Sequence, residues 1–82
     1  MDSKEVLSYL SELNSKVNTL KFISSHLEGS KVEIFATFKD DNTTVVIDQE
    51  LIPYNLAQEL KIIIGDSIDE YQRIIVNLST TL

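Results

Sequence analysis

Apolar residues in the first third of the chain recur at helical spacing. Val6, Leu10, Leu13, Val17, Leu20 and Leu27 follow one another at steps of four and three, with Ser24 filling the missing turn. That is one apolar stripe, and it predicts a helix over residues 3 to 28. Asp2 or Ser3 can cap its start, Asp2 and Glu5 suit the positive end of the helix dipole, and Gly29 is a natural stop.

The period then changes to two. In KVEIFATFK, residues 31 to 39, Val32, Ile34, Ala36 and Phe38 point one way, and Lys31, Glu33, Phe35, Thr37 and Lys39 point the other. DDNT is a polar turn whose side chains bond to their own backbone. Alternation resumes in residues 44 to 51, with Val45, Ile47, Gln49 and Leu51 on one face and Thr44, Val46, Asp48 and Glu50 on the other. Two alternating runs around a short turn predict an antiparallel hairpin.

Pro53 suits the first turn of another helix, and Asn55 with Gln58 forms a capping box if that helix starts slightly later. The stretch LKIIIGDSIDEYQ, residues 60 to 72, admits two readings. One is a buried strand ending in a glycine turn that holds an anion at a helix start. The other is the middle of one helix from 53 to 79. At 100° per residue, Leu56, Ala57, Leu60, Ile63, Ile64, Ser67, Tyr71, Ile74, Ile75 and Leu78 share one sector. The stripe keeps its phase across Gly65, and no lysine or further glycine supplies a phosphate loop. The continuous helix is the better reading, with Gly65 on its solvent side.

The predicted architecture is therefore a small α+β domain of order α-β-β-α, a two-stranded antiparallel hairpin packed on two long helices. With 82 residues the chain is read as a single domain, 1 to 82. A core of that size is thin and is commonly supplemented by disulfides, a metal or a second subunit. The chain has no cysteine and one histidine, which removes disulfides, thiolate sites and paired-histidine sites. Self-association is the route left.

Charge sharpens this picture. Net charge is −6, from 13 acidic against 7 basic residues. Residues 1 to 39 are balanced, and the segment from 40 to 82 carries the whole excess. Such a domain repels phosphate backbones and anionic lipid, so the expected partner is a protein with a basic surface rather than nucleic acid or membrane. MDSKEVLSYL lacks the basic and apolar regions of a signal peptide, and no apolar run approaches the ~20 residues that span a bilayer, so a cytoplasmic location is expected.

No catalytic constellation is legible. His26 has no serine, cysteine or second histidine at a recognisable spacing and reads as an exposed residue near a helix end. Asp40, Asp41, Asn42 and Asp48 lack the glycine and closing glutamate of a calcium loop and read as a solvated turn. No metal or cofactor is expected. The candidate partner-binding residues are the acids Asp48, Glu50, Glu59, Asp66, Asp69 and Glu70. The candidate self-association residues are apolar side chains off the stripes: Phe22, Phe35, Val46, Ile62 and Val76. Isolated apolar residues on a surface are ordinary, but five spread over every element suggest either a second packing layer or a partner surface.

The expected function is a non-enzymatic, homodimeric protein-interaction module, one version being an inhibitor of a basic nucleic-acid-binding partner. Small acidic chains without cysteines or a catalytic constellation are common among phage accessory proteins. Two alternatives are an assembly subunit of a larger homo-oligomer and a small-molecule binder with Tyr9, Tyr54 and Tyr71 around a pocket at a dimer interface.

Overall fold

A computed structural model describes residues 2–27 and 31–80. The order is helix, strand, strand, helix: α1 Ser3–Leu27, β1 Ile34–Phe38, β2 Thr43–Ile47 and α2 Leu56–Ser79. The α-β-β-α reading of the periodicity holds.

Each helix begins where a side chain takes up an otherwise unpaired amide. At α1 the Asp2 carboxylate accepts from the Glu5 amide at 2.9 Å. At α2 the Asn55 side chain accepts from the Gln58 amide at 3.1 Å, which makes Asn55 the cap. The helix therefore starts at Leu56 rather than at Pro53, because residues ahead of a cap leave helical geometry. Gly29, the expected stop of α1, and Glu28 lie outside the described residues. Residues 60 to 72 are helical throughout, and the glycine-turn reading is excluded.

The hairpin is antiparallel, with Ile34 opposite Ile47, Phe35 opposite Val46, Ala36 opposite Val45 and Thr37 opposite Thr44. Both strands are shorter than the alternation predicts, 34–38 against 31–39 and 43–47 against 44–51. The second ends early because Asp48 diverts the backbone. Its carboxylate accepts from the amides of Glu50 and Leu51, each at 3.1 Å, and its carbonyl accepts from the Ile52 amide at 3.0 Å. Local turn bonds of this kind compete with a strand ladder. At the tip, Asp41 accepts from the Thr43 amide at 3.0 Å, and Asn42 takes a left-handed φ of 57°, a conformation asparagine tolerates better than most residues.

The core is helical. Val6, Leu10, Leu13, Val17 and Leu27 of α1 and Ile64 of α2 are its buried residues, and Leu13 at 1% exposure is its centre. The α1 stripe thus lies where the spacing puts it, with Leu20 and Ser24 half-buried. On α2 the stripe residues are half-buried except Ile64, which is buried, and Ile63, which is 59% exposed. Ile63 corrects the sequence reading. It sits at the border of the apolar sector, and a single partner helix does not reach that far around the cylinder.

Close backbone approaches between elements join α1 to α2 and β1 to β2. The hairpin is thinly covered: Val32, Ile34, Ala36 and Ile47 on its inner face are half-buried, and no strand residue is fully buried. Phe38, Val45 and Leu51, expected on the covered face, are exposed. The molecule is flat, 49 × 33 × 15 Å, with a radius of gyration of 16.6 Å. A compact chain of this length has a radius near 12 Å. Among the described residues, no helix is long and apolar enough to cross a membrane.

Candidate functional site

The acidic candidates divide into two groups. Asp48 is half-buried and holds the turn that follows β2, so its carboxylate is already engaged by backbone amides. Glu50 stands exposed on the same turn. Glu59, Asp66, Asp69 and Glu70 are all exposed on α2. Their spacing explains the grouping: steps of seven and four residues bring Glu59, Asp66 and Glu70 onto one line of the helix, with Asp69 beside it. Glu70 is partly neutralised by an ion pair with Arg73 one turn on, both side chains being more than half exposed.

Apolar side chains interleave with these acids. Ile62, Asp69 and Val76 are seven residues apart in succession and form a second line. Ile62 is 50% and Val76 61% exposed. The outer face of α2 is thus an acidic surface with apolar inserts, and Ile63 adds to it. Ile63 was missed because its phase places it at the edge of the core sector.

The other apolar candidates are equally open. Phe35 and Val46 are cross-strand partners on the outer face of the hairpin, at 64% and 41% exposure. Beside them Thr37 and Thr44 join hydroxyls at 3.2 Å. Phe22 stacks on His26 with ring centroids 4.4 Å apart, on the side of α1 away from its core stripe. His26 Nδ1 lies 2.8 Å from the Phe22 carbonyl oxygen and 3.1 Å from Ser25 Oγ. These contacts tie the imidazole to the last turns of α1, at a carbonyl that also accepts from Ser25 Oγ at 2.7 Å.

The three tyrosines are not brought into one pocket. Tyr71 lines a shallow groove of about 250 Å³ with Ser15, Lys16, Thr19 and Leu20, and neither Tyr9 nor Tyr54 lines it. The Lys16 ammonium stands 5.8 Å from the Tyr71 ring centroid, a cation–π contact between two residues that line the groove. Among the described residues no cluster of three or more histidine, aspartate or glutamate side chains is placed to hold a metal ion.

One carboxylate is electrostatically distinguished. Hydrogen bonds from the Thr43 side chain and backbone favour ionised Asp41 and hold its carboxyl below the ordinary aspartate range. That effect belongs to the turn and needs no ligand. No protein-family model matches this chain, and neither a curated protein nor a solved structure matches it.

Proposed function

We propose that this chain is a non-enzymatic protein-interaction module that works as a homodimer and presents the acidic face of α2 to a basic protein surface. The observation that carries the reading is surface in excess of what a monomer of this mass exposes. The chain has 6439 Å² of accessible surface at 9.3 kDa. A compact monomer of that mass exposes about 5,000 Å². The difference, about 1,400 Å², exceeds the roughly 800 Å² that each partner contributes to a standard interface. Much of it is apolar: Phe22, Phe35, Phe38, Leu51 and Tyr54 are each more than half exposed.

Association would cover such groups at roughly 1.5–3 kcal/mol for each large side chain fully buried, before the costs of binding are subtracted. The acids of α2 suit a partner with a basic surface, such as a nucleic-acid-binding protein, because charge complementarity speeds encounter and selects partners. Sedimentation equilibrium tests the first half of the proposal. A dimer at micromolar concentration is expected, and Phe35→Lys is expected to shift it toward monomer. A stable monomer at high micromolar concentration overturns self-association.

A further inference from the structure

We infer that the second copy docks along the free edge of β1, antiparallel and centred on Ala36, so that two hairpins become one four-stranded sheet of order β2-β1-β1-β2. This rests on the homodimer reading and adds its geometry. The sheet has two strands, so each strand presents one edge without a ladder partner. Among the described residues, no backbone bond outside the regular elements reaches residues 31 to 39. An unpaired edge is a template for another strand.

Charge decides which edge is used and in what register. A two-fold axis perpendicular to the sheet places residues of equal parity opposite each other, so inner face continues into inner face. With the axis through Ala36, all five residues of β1 overlap their copies, and Ile34 faces Phe38 of the second copy. Just beyond the strand ends, Glu33 then faces Lys39 of the second copy, and Lys31 comes toward its Asp41. Both pairings are of opposite sign and each occurs twice. Moving the axis to Phe35 sets Lys31 against Lys39, and moving it to Thr37 sets Glu33 against Asp41.

The β2 edge offers no equivalent. Residues 40 to 50 contain Asp40, Asp41, Asp48 and Glu50 and no base. An axis through Val45 puts Asp40 against Glu50. Like charges directly opposed destabilise a strand pair, and opposite charges support it. The chosen edge also covers apolar surface in the right place. Phe38 is 56% exposed at the hairpin tip, and its counterpart is the half-buried Ile34 of the second copy. A four-stranded sheet also has the breadth that a two-stranded hairpin lacks alone.

Charge reversal and cross-linking test this together on the full chain. Glu33→Lys and Lys39→Glu each oppose like charges in a homodimer, and each is expected to raise the dimer dissociation constant several-fold, because two exposed pairs per dimer change from opposite to like charge. Mixing the two variants restores opposite charges at both sites, so heterodimers are expected to form with near-native affinity, as is the homodimer of the double variant. Ala36→Cys lies on the axis, with Cα atoms about 4.5–5.5 Å apart, and is expected to form a disulfide-linked dimer on oxidation. Val45→Cys is the control on the other edge and is expected to remain uncross-linked. Circular dichroism of each variant confirms that the helices persist. A native protein that is monomeric overturns the homodimer reading and this inference together. A native dimer that ignores the charge reversals, and cross-links through position 45 rather than 36, overturns the β1 edge alone and leaves self-association standing.

Discussion

Gly65 stands at the middle of α2, exposed, in helical geometry, and a Cβ built there meets nothing within 4 Å. Glycine at such a position carries only its cost, the loss of backbone freedom on folding. Gly65→Ala is therefore expected to stabilise the domain by up to about 1 kcal/mol, read as a shift in the denaturant midpoint at unchanged slope. A clear loss of stability would mean that this position needs a conformation alanine avoids. The same residue sits where two local patterns compete. Three isoleucines followed by Gly-Asp-Ser invite a strand and a turn when taken alone. The phase of Leu60, Ile64 and Tyr71 across the glycine points to a helix, because an inserted turn rotates whatever follows it. Ile63 marks where phase stops being sufficient. It lies at the sector border, and only the number of neighbouring helices decides whether such a residue is covered.

At the scale of elements, the helices were more legible than the strands. A helical stripe gathers evidence over six or seven turns, as Val6 through Leu27 do, whereas a five-residue strand offers two or three alternations. The alternation holds in β1 as far as Ala36, with Ile34 and Ala36 half-buried and Phe35 exposed, and fails at Phe38 and at Val45 of β2, which are both exposed. The strand ends were lost because the pattern runs past them: Leu51 keeps phase with Ile47 although Asp48 has already turned the chain. An aspartate followed by backbone amides free to reach it was the available signal. Seating depth was not legible at all, since periodicity gives a direction and not a distance. The hairpin tip carries its own test. Asp41 is held ionised by Thr43, so its folded-state acidity exceeds that of the unfolded chain. A depressed carboxyl contributes to the turn fully above the ordinary aspartate value, and that contribution is lost as pH falls through the folded value. The Thr43 amide resonance is expected to titrate with a midpoint below the ordinary aspartate value, and to become independent of pH over that range in Asp41→Asn. A midpoint at or above the ordinary value would remove the bond from solution.

At the scale of the whole molecule, charge suits different surfaces to different contacts. The β1 edge is the stretch of the hairpin where Glu33 and Lys39 give both signs at the strand ends, which suits contact with a copy of itself. The exposed side of α2 carries Glu59, Asp66, Asp69 and Glu70 with Arg73 among them, which suits contact with something basic. An edge-to-edge dimer leaves α2 of both copies free, so the acidic faces are displayed twice. Opposed charges on exposed surfaces act within a screening length of about 8–10 Å at physiological ionic strength. Association of a partner identified by pull-down is therefore expected to slow steeply as salt is raised. Replacing Asp66, Asp69 and Glu70 together by Asn, Asn and Gln is expected to lower the association rate more than it raises the dissociation rate, because rim charges act mainly during encounter. Stopped-flow measurement across a salt series separates the two rates. Association that stays flat from low to high salt, in the native protein and the triple variant alike, would remove the acidic face from the interaction and leave Ile62, Ile63 and Val76 as the groups on α2 that a partner reads.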